Sequence, residues 1–279
     1  MKRFFAALTI FLVTGLMPVF SWAIETAHPL GFPEANGAIA EQVIGTYNLI
    51  FWICLVIYIL VQGIILWCIF AYRRSNKRSE KDAKQFSHST TMEIIWTTIP
   101  VLICAVIGWQ AWQGLKFIRT VPENAIAVDV IAYQFGWSFD YPELDISAPA
   151  PVEADKELTT QESTPRYVKE MVVPVDTNIV LNVTAQDVIH SYYVPALGTK
   201  IDAIPGRINY QWFNANKTGN FIGQCTELCG SAHGEMFFRL RVLEQDAWEA
   251  WVNNQRQEKG LEPLTGKQLA QFSQTGLLE

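Results

Sequence analysis

The stretch Ala125-Ile-Ala-Val-Asp-Val-Ile-Ala-Tyr-Gln-Phe-Gly-Trp-Ser-Phe-Asp-Tyr141 is where the chain changes character. Upstream of it lie long uncharged apolar runs; within it Asp129, Ile131, Tyr133, Phe135, Trp137, Phe139 and Tyr141 alternate with smaller or polar residues. A period of two marks a strand. Short β-branched and aromatic runs follow at Glu170 to Val175, Asn178 to Thr184, Arg207 to Asn214 and Glu235 to Leu243, punctuated by Pro205-Gly206 and Thr218-Gly219-Asn220. Such a series closes into a β-sandwich or barrel. Residues 147–165 are rich in Ala, Pro, Glu and Thr and read as an exposed insertion. Residues 244–279 read as a C-terminal helix, with Trp248, Trp251 and Val252 on one face, and a polar tail.

Working back towards the N-terminus, Lys2 and Arg3, an apolar stretch and Ser21-Trp22-Ala23 have the form of a secretory signal peptide, residues 1–23. A retained third membrane helix is the alternative. Asn48 to Tyr72 and Ile94 to Leu115 are each longer than the roughly 20 residues a helix needs to cross the hydrocarbon. Residues 44–115 therefore read as a two-helix hairpin. Its connection, about 73–92, carries Arg73, Arg74, Lys77, Arg78, Lys81 and Lys84 and belongs in the cytoplasm. The segment 24–43 and the domain 116–243 then face outside. Pro100 in the second span is expected to kink it or to lie on a packing surface near the outer leaflet, with the freed carbonyl met by a neighbouring helix. Glu93 stands at that span's inner end, where it suits either the positive end of a helix or a path for protons.

Of 279 residues 50% are hydrophobic and 17% charged, with 21 Lys+Arg against 27 Asp+Glu, a balance that excludes a disordered chain and a nucleic-acid binder. Beyond Leu115 there are 13 basic against 21 acidic side chains. Such a surface favours encounter with a basic partner, and equally suits a generically soluble acidic domain. Cys54, Cys68 and Cys104 lie in apolar runs, so the five cysteines do not form a disulfide scaffold.

Cys225-Thr-Glu227-Leu-Cys229-Gly-Ser-Ala-His233-Gly-Glu-Met236, with His190 upstream, is the densest group of soft donors. Thiolate, imidazole and thioether together select copper over hard cations. A structural disulfide would leave His233 and Met236 unexplained, a Cys₂His₂ zinc site would leave Met236 unused, and a blue-copper site needs a single cysteine. If each sulfur bridges two copper ions, each ion has two sulfurs and one imidazole, with Met236 and a backbone carbonyl as weak axial donors.

These motifs resemble subunit II of bacterial cytochrome c oxidases. The resemblance rests on the hairpin with Met92-Glu93-Ile94-Ile95-Trp96-Thr97, on Gln134-Phe135-Gly136-Trp137, on Asp187-Val-Ile-His190-Ser191, on the loop Gly198 to Arg207 and on the cysteine cluster. It implies a membrane-anchored all-β protein: a transmembrane hairpin followed by a cupredoxin-like sandwich carrying the dinuclear copper centre CuA. The implied ligands are His190, Cys225, Cys229, His233, Met236 and the backbone oxygen of Glu227. The Glu227 side chain would reach a magnesium or manganese ion shared with subunit I. Glu93 would open a proton path, Asp187 would lie on the donor-docking face, and Phe135, where relatives commonly have Trp, or Trp137 would receive electrons. Phe135 and Trp137 are expected on one strand face.

The function so implied is electron transfer from a c-type cytochrome to haem in subunit I, where oxygen becomes water, within a complex of further oxidase subunits in the bacterial inner membrane. The alternative is a membrane-tethered copper carrier or storage protein, which has no need of Glu93, Glu227 or the whole hairpin. No Cys-x-x-Cys-His occurs, so the donor haem is expected on a separate molecule.

Overall fold

Two helices take up the apolar runs in the computed structural model, which describes residues 33–73, 87–147, 149–153 and 167–272. Helix α1 is Ala38–Ala71 and α2 is Thr90–Arg119, of 34 and 30 residues. At 1.5 Å per residue they are about 51 and 45 Å long, against a hydrocarbon core of roughly 30 Å. Both outrun the apolar stretches. Residues such as Glu41, Gln42 and Lys116 continue the backbone ladder where the side chains need no apolar surroundings. Helix α2 runs on through Pro100, and Glu93 occupies its first turn, with its N–H bonded to the Ser89 carbonyl at 3.0 Å. The signal segment 1–23, the basic residues Arg74 to Lys84 and residues 154–165 of the expected insertion lie outside the described residues.

Gln42–Phe117 forms one unit of the chain; the other gathers Met1–Glu41 and Ile118–Glu279. The second unit is a two-layer β-sandwich. Its strands are β1 Ile126–Tyr133, β2 Gly136–Asp140, β3 Val152–Glu153, β4 Tyr167–Pro174 and β5 Asn178–Ala185. The remainder are β6 His190–Val194, β7 Thr199–Ala203, β8 Asn209–Asn214, β9 Gly219–Cys225 and β10 Phe237–Leu243. One sheet has the order β2-β1-β5-β8 and the other β3-β4-β10-β9-β6-β7. Helix α3, Gln245–Glu258, follows and buries Trp248 and Val252; α4, Gly266–Phe272, comes last. Part of the expected insertion is strand, since Val152 and Glu153 pair with Val168 and Tyr167.

The stretch 125–141 departs from its reading as one strand. It is a hairpin, with Ala132 opposite Trp137 and Val130 opposite Phe139. The reversal at Gln134-Phe135, whose peptide bond is cis, shifts the phase of burial. Val128, Val130 and Ala132 point into the core from β1, and Trp137 and Phe139 from β2. Phe135 and Trp137 therefore do not share a strand face: Phe135 is in the turn, 38% exposed, and Trp137 is 0% exposed. Tyr141 then ties the sheets together. Its hydroxyl donates to the Val172 carbonyl at 3.0 Å and accepts the Val172 N–H at 2.8 Å, and burial pushes its pKa up, which keeps that proton in place.

Of the expected segment 24–43, the described residues ahead of α1, 33–37, are tied to the sandwich. Asn36 is buried, accepts the N–H groups of Asn216 and Lys217 at 2.8 Å, and donates to the Lys217 carbonyl at 3.1 Å. A short polar side chain with three backbone partners is a clamp, and a short loop segment is held by it.

Candidate metal centre

Three neighbouring strands of the larger sheet deliver the donors to one end of the sandwich. His190 opens β6, Cys225 closes β9, and Met236 immediately precedes β10. Register holds them there: Tyr192 pairs with Cys225, and Phe237 with Gln224. Backbone bonds continue the ladder past the strand ends, from Cys225 N–H to Met236 O at 3.1 Å and from Thr226 N–H to Ser191 O at 3.0 Å. The chain from Thr226 to Ala232 is released from the sheet as a loop, and His233–Glu235 is a single 3₁₀ turn that brings the second imidazole back.

The donor atoms converge. Cys225 Sγ lies 3.9 Å from Cys229 Sγ, 3.9 Å from His190 Nδ1 and 3.3 Å from the Glu227 carbonyl oxygen. Cys229 Sγ lies 3.5 Å from His233 Nδ1 and 3.9 Å from Met236 Sδ. All six ligands expected from the sequence are thus drawn together. The two sulfurs are unbonded thiols, and Met236 is buried with its sulfur turned into the cluster, which a disulfide or a zinc site would not require. Two thiols, two imidazoles, a thioether and a carbonyl suit copper. Burial and the adjacent Cys225 push the Cys229 thiol up to about 12, so metal binding here must displace a proton. A cleft of about 440 Å³ lined by Gln224, Thr226, His233, Gly234 and Phe237 opens onto Cys225 and Met236.

Around the donors sits a set of orienting groups. Asp187 Oδ1 is 2.9 Å from His190 Nε2; a carboxylate only accepts, so Nε2 carries the proton and Nδ1 turns its lone pair to the sulfurs. Asp187 also accepts the N–H groups of Val188 and Gln134, at 2.7 and 2.6 Å. Partial burial works against its charge, but these bonds outweigh it and hold the carboxyl below its usual range. Trp137 packs beneath the site, edge-on to His190, Tyr192 and Phe238, and its indole N–H donates to Met236 O at 3.4 Å.

At the surface, Phe135, Val188, Ile189 and Leu228 are 38, 38, 46 and 79% exposed, an apolar set contributed by the β1–β2 turn and by the two loops that present the donors. The Glu227 side chain is exposed, and Glu93 lies in the other unit. Sequence reasoning missed two residues here. Gln134 bonds through its side chain to the Cys229 carbonyl at 2.6 Å. Gly230, at φ +141°, has no room for a side chain, since a Cβ would lie 2.9 Å from Phe135 Cζ. A glycine directly after a candidate ligand was the available signal for the second; nothing local signals the first.

Comparison with known proteins agrees with these features. Residues 25–113 match the family described as cytochrome c oxidase subunit II, transmembrane domain, and residues 126–243 match its periplasmic domain. Cytochrome c oxidase subunit 2 of Cereibacter sphaeroides is 34% identical over 245 residues, covering 81% of this chain and 80% of that one. A protein named "Probable cytochrome c oxidase subunit 2" in Rickettsia bellii is 33% identical over 225 residues, 80% of this chain and 82% of its own. Among solved structures, the periplasmic domain of subunit II of the Bradyrhizobium japonicum cytochrome oxidase is 38% identical, with TM-score 0.45, over 50% of this chain and 99% of that one.

Proposed function

The chain belongs to the cytochrome c oxidase subunit II family, and from that premise we propose that His190, Cys225, Cys229, His233, Met236 and the Glu227 carbonyl hold the two copper ions of a CuA centre. The protein is the electron-transfer subunit of the oxidase, anchored by its hairpin with the sandwich in the periplasm. The observation that carries the copper assignment is the convergence of both thiols, both Nδ1 atoms, the thioether and the carbonyl into one cluster. A copper pair held by these donors would supply a one-electron carrier.

The chain's own contribution is rigidity. Cys225 and Met236 are tied by the β9–β10 ladder, His190 by β6 and by Asp187, and Trp137 fills the space beneath. Fixed donors keep reorganisation small. Phe135, exposed and adjoining the Cys229 loop at Gly230, serves as the contact through which electrons enter from a reduced c-type cytochrome. Trp137, wholly buried, acts behind it as support. The exposed apolar rim and the acidic balance of the domain favour a donor with an apolar contact patch and a basic surround. Asp187 contributes charge to that face while orienting His190. Electrons pass on to haem in subunit I, and the exposed Glu227 carboxylate is available to a magnesium or manganese ion shared with that subunit. Glu93 admits protons from the cytoplasmic side of a bacterial inner membrane, which the basic connection Arg73 to Lys84 supports.

Copper analysis and electron paramagnetic resonance of the assembled oxidase test the centre. Two coppers assigned to this chain and one unpaired electron shared between two nuclei are expected, with loss of the shared-electron signal in Cys225→Ser or Cys229→Ser. One copper, or zinc, overturns the assignment. Reporters fused near Lys81 and after Glu279 should be cytoplasmic and periplasmic respectively; both on one side would overturn the hairpin topology.

A further inference from the structure

The turn joining β1 to β2 comes from the opposite sheet to the donors, yet it is bonded to both of the loops that present them. Gln134 makes two bonds of 2.6 Å: its backbone N–H donates to Asp187 Oδ2, and its side-chain Nε2 donates to the Cys229 carbonyl. The other oxygen of Asp187 receives His190 Nε2 at 2.9 Å. A continuous chain of hydrogen bonds therefore runs from one imidazole, through Asp187 and Gln134, to the backbone of one thiol. It crosses between the loop entering β6 and the loop leaving β9. The second loop needs such a tie, because past Thr226 it has left the sheet. Gly230, with no side chain, lets that loop close against Gln134 and Phe135.

We propose that Gln134 is a positioning residue for the metal centre, fixing the distance between His190 and Cys229 by clamping their two loops to one turn. The proposal rests on the CuA reading above. One arm ends on a carboxylate, the stronger kind of hydrogen bond, and survives any side-chain change at position 134 that leaves the backbone in place. The other depends on the amide donor alone. Orienting groups one step removed from a metal commonly change its affinity by about 10–100-fold.

The test uses the assembled oxidase in detergent, with three readouts: copper retained per chain against a competing copper chelator, the paramagnetic hyperfine pattern, and the midpoint potential. Gln134→Met keeps the length and loses the donor. Its retention should fall about tenfold, with an altered hyperfine pattern and a shifted potential. Gln134→Glu should fall further, since a carboxylate oxygen then faces the Cys229 carbonyl oxygen. A turn that merely fills space gives no such order between Met and Glu. Asp187→Ala combined with Gln134→Met should lose less than the product of the single losses, as expected for two members of one chain of bonds.

Wild-type retention, spectrum and potential in both Met and Glu variants, or losses that multiply as independent sites, overturn the clamp. Should the Met and Glu proteins fail to assemble, Gln134→Lys decides, because it restores a donor. Assembly with the wild-type spectrum supports the clamp, and failure to assemble or an altered spectrum overturns it. A wild-type oxidase without the two-copper signal would overturn the CuA reading instead, whatever the variants do.

Discussion

Tryptophan is used in opposite ways by the two units. Trp52, Trp67, Trp96, Trp109 and Trp112 on the two long helices are 52, 52, 59, 67 and 62% exposed, whereas Trp137 and Trp212 in the sandwich and Trp248 on the helix packed against it are 0, 5 and 1% exposed. The same residue type is thus a contact group in one place and core material in the other. The sandwich buries its core within its own sequence and leaves an apolar rim beside the donor loops exposed. The most apolar stretch of each long helix is not buried within the chain, so its apolar surroundings must come from outside it, lipid above all. An electron carrier needs fixed donors, and they are found in the unit that packs itself.

Truncation at Trp137 is the strongest way to break this contrast. Trp137→Ala removes the ring beneath His190 and should cost the sandwich about 3–5 kcal/mol, with loss of the copper signal, in thermal melting of the purified oxidase followed at that signal. Trp109→Ala, on a helix, should leave that transition in place. If both variants shift it equally, the two units are not independent in stability.

Next in size is Tyr141→Phe. Removing the hydroxyl strands the buried Val172 N–H and carbonyl together, so about 1–3 kcal/mol should be lost while the spectrum of the centre is retained. A changed spectrum would mean that the tie between the sheets also shapes the metal site.

Phe135→Ala, at an exposed turn, should alter stability by about 0.5 kcal/mol or less. Its effect should appear in stopped-flow reduction by a c-type cytochrome, where the donor-to-copper rate should fall strongly, and Phe135→Trp should preserve or raise that rate. An unchanged rate in Phe135→Ala would move the docking face elsewhere. Glu93→Gln should have no effect on the sandwich at all. Turnover should slow while copper reduction by the donor proceeds at the wild-type rate; equal slowing of both would point to faulty assembly.

The helices were legible because a membrane imposes one simple demand, and two uncharged runs meet it. The donor loop was legible because five of the six donors crowd into residues 225–236, with His190 the only distant member. The reversal at Gln134-Phe135 was not. Phe135 falls in phase with Tyr133 and Trp137, so the period of two passes through the turn unbroken, while the hairpin places even-numbered residues of β1 opposite odd-numbered ones of β2. Strands β6, β7 and β9 were also missed. They are five to seven residues long, and β9, Gly219-Asn-Phe-Ile-Gly-Gln-Cys225, contains two glycines, so pairing on both sides rather than local preference makes it a strand. The bond from Asp187 to His190 and the clamp at Gln134 depend on which loops meet in space, which spacing along the chain does not encode.

The order in which the donors occur has a consequence for how the protein is made. A ribosome delivers His190 well before any of the donor sulfurs, and strand β10, which closes the larger sheet by pairing with both β4 and β9, is the last strand among the described residues. A nascent chain that has emerged only as far as Asn220 offers a metal one imidazole of the final set and neither thiol. Copper supplied during synthesis would meet an incomplete grip, so loading belongs to the finished domain, after translocation, when the last strand has been laid down.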